Sequence, residues 1–150
     1  PQKVVKIQSM VRGVVARRKY KPQLEEVKKN PVVNNDAERR DSLNREDCKL
    51  ITNVPDYSNP ATRATEDRLG SFNYDQDHQF DENDLIGRGA YELDNGAIYK
   101  GQWSREGLRY GRGVQVWVDG SKYEGYWRSD MANGMGRLIH ADGDVYEGEW

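Results

Sequence analysis

The sequence predicts a mainly β fold, in which one elongated antiparallel sheet of hairpin repeats follows an amphipathic α-helix and an extended linker. Three observations support this fold class. A box of the form Tyr-x-Gly-x-Trp occurs three times in the last third of the chain, at steps of 24 and 23 residues. Apolar residues near the N-terminus recur at helical spacing, and the region between these parts has no sustained apolar period. We therefore divide the chain into residues 1–30, 31–86 and 87–150.

The repeating unit combines two boxes with a turn signal. The Tyr-x-Gly-x-Trp boxes span residues 99–103, 123–127 and 146–150. Each is preceded by a Gly-x-Gly box, whose second glycine lies seven residues before the glycine of an Asn-Gly or Asp-Gly pair. Such pairs between alternating strands are strong signals for tight hairpin turns. The repeat therefore predicts one hairpin after another, joined into a single sheet.

The alternation of side chains along a strand assigns residues to the two faces of this sheet. Tyr123, Gly125 and Trp127 share one face. Glu124 and Tyr126 share the other, where we expect Glu124 to be solvated. We interpret the recurrent glycines as room for neighbouring rings to lie across the backbone. The predicted repeat core consists of Tyr99, Gly101, Trp103, Trp117, Tyr123, Gly125, Trp127, Tyr146, Gly148 and Trp150. We predict that this core is a structural spine, with an open partner groove as the alternative.

The N-terminal segment predicts a basic amphipathic helix. Residues 1–30 contain nine basic and two acidic residues, a net charge of +7. The apolar positions at helical spacing are Val4, Ile7, Val11, Val14 and Val15. A short helix that is rich in valine is weak alone, so its apolar face needs a partner. An acidic EF-hand protein is favoured over an anionic membrane surface, because interfacial helices prefer Trp, Phe or Leu to Val. Packing on its own protein or on tubulin is a further alternative.

The spacing of polar residues in this helix resembles the IQ motif. Ile7 and Gln8 are followed by Arg12 and Gly13, then Arg17. The resemblance implies calmodulin or a calmodulin-like light chain as the partner, with an apolar anchor, a buried amide and arginines that pair with carboxylates. The residues implied in calmodulin binding are Ile7, Gln8, Val11, Arg12, Gly13, Arg17 and Tyr20.

The repeat of residues 87–150 resembles the MORN repeat, in which Tyr-x-Gly-x-Trp, Gly-x-Gly and Asp-Gly recur about every 23 residues. The resemblance covers one half repeat, two full repeats and the opening of a fourth. Because residues 81–86 contain no Tyr-x-Gly-x-Trp box, we expect the sheet to begin at Gly87 with a degenerate capping strand. The resemblance implies binding of extended or helical protein segments, attachment to membranes or cytoskeleton, and dimers formed through the repeats.

The middle region, residues 31–86, predicts an extended acidic linker that becomes ordered along a partner. It carries six basic and thirteen acidic residues, a net charge of −7. A polar helix over 36–50 and a short helix from Thr65, ended by Gly70, are the local signals. Cys48 is the one cysteine of the chain. We interpret it as a bystander thiol, consistent with a reducing compartment.

The sequence predicts no metal site, no cofactor and no catalytic residue. An EF-hand loop starting at Asp75 would need Gly and Glu where Phe80 and Ile86 stand. His78 and His140 are far apart in sequence, and no cysteine cluster suggests zinc. A phosphate-binding loop, a serine nucleophile elbow and a Cys/His pair are absent from the sequence. We therefore expect a protein that is not an enzyme.

The two resemblances together imply a scaffold that links a calmodulin-like protein to a cytoskeletal assembly. By family analogy we expect a cytoplasmic protein of the cytoskeleton, at the axoneme of cilia or flagella, without a nucleic-acid partner. The alternative is a regulatory MORN region of a phosphoinositide kinase or a membrane-tethering protein. The net charge of −2 over residues 87–150 argues against direct lipid binding. A first residue other than Met and a repeat interrupted at Trp150 lead us to expect a piece of a longer protein.

Overall fold

The computed structural model of the protein describes residues 4–6, 45–74 and 80–150. The described residues form one open sheet, in which strands that follow each other along the chain from β2 to β8 are also neighbours in space. These seven strands pair antiparallel, which confirms the predicted fold class. The strands are β1 Val4–Lys6, β2 Cys48–Ile51, β3 Leu85–Leu93, β4 Ile98–Ser104, β5 Arg109–Val116, β6 Lys122–Arg128, β7 Met131–Ile139 and β8 Val145–Glu149. A short 3-10 helix, Glu82–Asp84, leads into β3.

The first strand differs from the prediction. Val4–Lys6 pairs parallel with β8, whereas the sequence analysis placed Val4 on the apolar face of a helix. An edge strand offers unpaired backbone N–H and C=O groups, and valine suits the extended backbone that can satisfy them. The remainder of the predicted helix, from Ile7 to Tyr20, lies outside the described residues.

The Asp-Gly and Asn-Gly pairs form a row of turns at one end of the hairpins. In the turn between β5 and β6, the Gly120 N–H donates to the Trp117 carbonyl at 2.9 Å and the Trp117 N–H donates to the Ser121 carbonyl at 2.9 Å. The Asp119 carboxylate accepts from the Ser121 N–H at 2.9 Å, and Gly120 adopts a φ of 91°. The Asx residue therefore caps the turn, while its glycine takes the left-handed conformation. The turns at Gly96 and Gly143 repeat this geometry.

The turns at the opposite end differ in length. Residues 105–108 connect β4 to β5, whereas Ser129 and Asp130 alone connect β6 to β7. Both of these residues have positive φ, 49° and 67°, as a two-residue turn requires. The extra residue of the 24-residue step therefore lies in a longer loop and leaves the strand register intact.

A row of glycines crosses the sheet from β4 to β8. The register partners along this row are Gly101, Gly113, Gly125, Gly136 and Gly148. The Tyr99 ring lies over Gly113 so closely that a Cβ there would be 2.6 Å from two ring carbons, and Tyr123 has the same relation to Gly136. The glycines thus provide the room that the sequence analysis assigned to them.

Residues 52–74, which we call the strap, contain the helix α1, Pro60–Leu69. The Asn59 side chain accepts from the Thr62 N–H at 3.0 Å, and the Thr62 hydroxyl accepts from the Asn59 N–H at 3.0 Å. This capping box, with Pro60 in the first turn, starts the helix five residues before the predicted Thr65. The helix ends before Gly70, as predicted, where the Gly70 N–H donates to the Glu66 carbonyl at 2.8 Å.

The strap lies along the row of Asx-Gly turns. Tyr57, Asn59 and Thr65 donate hydrogen bonds of 2.9–3.2 Å to backbone carbonyls of three turns. The acceptors are Gly96, Asp119, Ala141 and Gly143. The prediction of an extended tether is therefore wrong for residues 57–70, because side chains of this segment satisfy carbonyls that the turns leave free.

Residues 45–51, which we call the clasp, form the outer edge of the sheet through β2. Its register pairs Cys48 with Leu93 and Ile51 with Ala90. The sheet therefore begins at the clasp and not at Gly87. The predicted polar helix over 36–50 is also wrong at residues 48–50, since β2 pairs its backbone with β3.

We expect Gly113→Ala to destabilise the fold, because the new Cβ would collide with the Tyr99 ring. Overpacking of this kind costs about 1–3 kcal/mol of the free energy of unfolding, which thermal and urea denaturation would measure. Gly87→Ala is the matched control, since a Cβ at Gly87 meets nothing within 4 Å. Equal effects of the two substitutions would contradict the ring-on-glycine interpretation.

Candidate interaction surfaces

Seven aromatic rings form a continuous zigzag on one face of the sheet, and we call this row the aromatic spine. Successive rings meet edge to face, with centroids 4.8–5.2 Å apart. The order along the spine is Tyr91, Trp103, Tyr99, Trp127, Tyr123, Trp150 and Tyr146. Edge-to-face contacts between aromatic rings stabilise by about 0.5–1.5 kcal/mol each beyond the burial of area. The spine therefore holds each repeat to the next.

Hydrogen bonds fix the repeat tyrosine hydroxyls and the Trp127 indole of the spine. Each repeat tyrosine donates its hydroxyl to the carbonyl three residues later, at 2.8 Å for Tyr99, 2.9 Å for Tyr123 and 2.7 Å for Tyr146. Trp127 donates its indole N–H to the Gly113 carbonyl at 3.1 Å. Burial raises the pKa of Tyr99 and of Tyr123. These hydroxyls stay protonated, as their donor role requires.

The spine is a closed core. Tyr99, Trp103 and Trp127 have 0% of their surface exposed, and Trp117 is also buried beside them. Trp150 is partly buried against the same cluster. Gly101 and Gly125 lie beneath tyrosine rings of the spine. Gly148 is the register partner of Gly136, which lies beneath Tyr123. In this structure the aromatic rings of the predicted core pack against one another and are buried or partly buried.

The opposite face carries a second aromatic cluster that the sequence analysis missed. Tyr126 is 1% exposed, and Tyr74 and Phe80 pack on it with centroids 5.6 and 5.9 Å away. The Tyr126 hydroxyl donates to the Tyr74 carbonyl. The spacing of Phe72 and Tyr74 could have indicated this cluster, because aromatic residues two positions apart suggest an extended segment packed on a sheet.

Arginines of the repeats lie against this second cluster. The Arg112 guanidinium lies 5.9 Å from the Tyr74 ring centroid. Arg128 lies 5.5 Å from Phe80. Arg137 lies 5.8 Å from the Phe72 ring and donates to the Gly70 carbonyl at 2.7 Å. Cation–π contact thus helps Phe72, Tyr74 and Phe80 cover the second face.

Glu124 is part of an ion-pair ladder and is not the solvated residue that the sequence predicts. Its carboxylate lies 2.7 Å from Arg137 and 3.0 Å from Lys122, and its side chain is 13% exposed. Lys122 also lies 2.8 Å from Glu66 of α1. Burial opposes the charge on Lys122, but the two carboxylates outweigh it and raise its pKa. The ladder joins the strap to β6 and β7.

A buried charge cluster joins the clasp to two turns. Asp130 accepts from Arg45 with both carboxylate oxygens at 2.9 Å, and from the Arg109 side chain at 3.1 Å. Arg109 also contacts Gln115 at 2.5 Å and stacks on Trp127, with 4.8 Å to the ring centroid. Three of these side chains, on Arg45, Arg109 and Asp130, are 1–2% exposed. Buried charges persist when they are paired and fully hydrogen-bonded.

Arg45 is the residue through which the clasp enters this cluster. It donates to Asp47 at 2.8 and 2.5 Å as well as to Asp130. Burial opposes its charge, but Asp47 and Asp130 outweigh burial and raise the pKa of Arg45. The hydrogen bond from Arg45 in turn lowers the pKa of Asp47. Sequence reasoning missed this contact, because Arg45 and Asp130 lie far apart in the chain.

The chain matches two family models. The IQ calmodulin-binding motif matches residues 2–21. The MORN repeat matches residues 99–122 and 123–145. No curated protein matches the chain. The chain thus carries an IQ motif followed by MORN repeats, as the sequence resemblance predicts. The IQ motif indicates calmodulin binding, and the MORN repeats indicate interaction with a membrane or a protein.

The described residues contain neither a helix that could span a membrane nor a cluster of metal ligands. None of the helices there is long and apolar enough to cross a membrane. The same part of the chain holds no group of three or more His, Cys, Asp or Glu residues placed to bind a metal ion. Asp75 and His78 lie outside the described residues.

We expect Trp127→Ala to lower the free energy of unfolding by about 3–5 kcal/mol, the range typical of large-to-small changes at a buried Trp. Trp127 contacts two tyrosines of the spine and Arg109, so its loss interrupts the row at its centre. Urea denaturation followed by circular dichroism would measure the change. Lys100→Ala, at an exposed position of β4, serves as the control. A stable Trp127→Ala protein would mean that the ring is dispensable to the fold.

Proposed function

We propose that this protein is a non-enzymatic adaptor, in which the IQ motif binds a calmodulin-like EF-hand protein and the MORN sheet holds a second protein. By family analogy the second partner belongs to a cytoskeletal or axonemal assembly, in the cytoplasm and at the cilium. Dimers formed through the repeats are part of the same analogy.

The observation that supports the proposal is that side chains of the protein itself pack on both faces of the sheet. The spine closes one face, and residues 57–74 together with Phe80 pack on the other over β5–β7. A sheet organised in this way is a rigid platform on which partners can be mounted, and this favours a scaffold.

The placement of basic residues favours a protein partner over an anionic lipid. Residues 87–150 contain eight basic residues, and six of them are engaged within the fold, including Arg105, which lies 3.4 Å from Asp84. Arg109, Arg112, Arg128 and Arg137 lie against aromatic rings, and Lys122 pairs with Glu66 and Glu124. Lipid headgroups are bound by clusters of free Lys and Arg, which this sheet does not present among its described side chains.

Calmodulin binding should depend on Ile7 and Gln8. Replacing both by Ala in the 150-residue chain removes an apolar anchor, and we expect the affinity to fall about 10-fold to 150-fold. Isothermal titration with calmodulin, in calcium and in chelator, measures this. Ser9→Ala is the control, since Ser9 is not among the residues implied in calmodulin binding. If the unsubstituted chain bound calmodulin in neither condition, the proposed role of the IQ motif would be wrong.

The lipid alternative has a separate test. Flotation of the chain with vesicles that contain phosphatidylinositol bisphosphate should leave the protein in the unbound fraction. The same vesicles without the phosphoinositide are the control for adsorption. Retention that depends on the phosphoinositide would favour a regulatory or tethering role at membranes.

A further inference from the structure

The clasp and the strap are attached to the sheet by separate sets of contacts. The strap bonds to the Asx-Gly turns and the second face. The clasp bonds to the outer edge of β3 and to the charge cluster at Asp130. Residues 52–56, the part of the strap that follows the clasp, are all exposed and lie outside any helix or strand. The clasp can therefore leave the sheet without moving the strap.

The charges of the cluster divide into two neutral halves. Arg45 and Asp47 belong to the clasp and lie 2.5 Å apart. Arg109 and Asp130 belong to the repeats and lie 3.1 Å apart, with the Asp130 carboxylate also accepting from the Arg109 backbone N–H at 2.9 Å. Breaking a buried pair is costly mainly when it leaves one charge alone. Separation of the clasp leaves each half with its own counterion.

The clasp is also a small part of the sheet. β2 has four residues, whereas β3 has nine, and Leu50 in β2 is 55% exposed. Short edge strands with few buried contacts open at free energies below that of global unfolding. The spine, by contrast, is buried along its length.

Departure of the clasp would uncover a site of defined chemistry. The site consists of the backbone edge of β3, the Asp130 carboxylate, the Gly107 carbonyl and the face of Trp103. With the clasp in place, the Arg45 guanidinium fills this site. Its Nη1 lies 3.3 Å from the Gly107 carbonyl oxygen, and its Cζ lies 5.9 Å from the Trp103 ring centroid. A carboxylate beside an aromatic face suits a guanidinium, and a bare strand edge suits an extended chain.

We propose that the clasp opens as a unit while the repeats stay folded, and that the edge it leaves binds an extended segment of a partner protein carrying an arginine. The segment that fits follows the pattern of the clasp itself: arginine, an acidic residue two positions later, and a small apolar residue next. This pattern places a carboxylate where Asp47 lies and a side chain where Cys48 packs on the core.

Cys48 reports opening directly. Its thiol packs on the core, and burial raises its pKa to about 11, so the closed clasp should react slowly with a thiol reagent near pH 8. We expect Arg45→Ala to raise the labelling rate by about 10-fold to 150-fold, as the loss of hydrogen bonds to a charged group implies. Lys49→Ala, on the same strand but exposed, should leave the rate unchanged.

The dependence of labelling on urea separates local from global opening. In the unsubstituted chain, opening of the clasp alone exposes little surface, so the labelling rate should rise with urea much less steeply than the unfolded fraction does. A slope equal to that of global unfolding would overturn the proposal, since Cys48 would then be exposed when the sheet unfolds. An unchanged rate in Arg45→Ala would overturn it equally.

Peptide binding tests the site. A fluorescent peptide with the sequence of residues 45–51, with Ser in place of its Cys, should bind the Arg45→Ala chain more tightly than the unsubstituted chain, whose own clasp competes. The same peptide with Ala in place of its Arg should bind at least about 10-fold more weakly. Equal binding of the two peptides would show that the edge does not select arginine.

Discussion

The close approach of tyrosine rings to glycine backbone is the constraint on which the rest of the sheet depends. Tyr99 and Tyr123 each lie across a glycine of their own strand and one of the next. Any side chain in the row from Gly101 to Gly136 would lift a ring off the sheet, and the tryptophan packed against that ring would lose its contact. Strand register, ring stacking and burial of the spine are therefore consequences of one requirement for space.

The second face needs help from outside the repeats. Its side chains alternate along the strands with the spine and the glycine row, and they include Tyr126 and the charged pair Glu124 and Arg137. A buried tyrosine and a buried arginine must be covered and paired. The strap provides both functions, since it places Tyr74 on Tyr126 and the Gly70 carbonyl on Arg137.

The sequence allowed the spine and the turns to be predicted, because each unit carries its own local signals. A turn needs an Asx residue and a glycine that are adjacent in the chain, and the ring-on-glycine contact repeats at a fixed spacing. The clasp could not be predicted in this way. Arg45 meets Asp130 across a long stretch of chain, and Cys48–Ile51 is too short to show an alternation. The strap could be predicted only in part. Asn59, Pro60 and Thr62 form a recognisable start of a helix, but no local pattern indicates which backbone carbonyls the Asn59 side chain will bond.

The glycine row also limits how an array of this kind can change its copy number in evolution. A tyrosine requires glycine in its own strand and in the following one, so the gain or loss of a single strand would bring a side chain beneath a ring. Whole hairpins can be duplicated without this conflict. The strap, however, spans three turns and does not lengthen with the array. In every hairpin added beyond the third turn, the second face would be left uncovered by the strap. That face would need either a new covering segment or a partner from another chain.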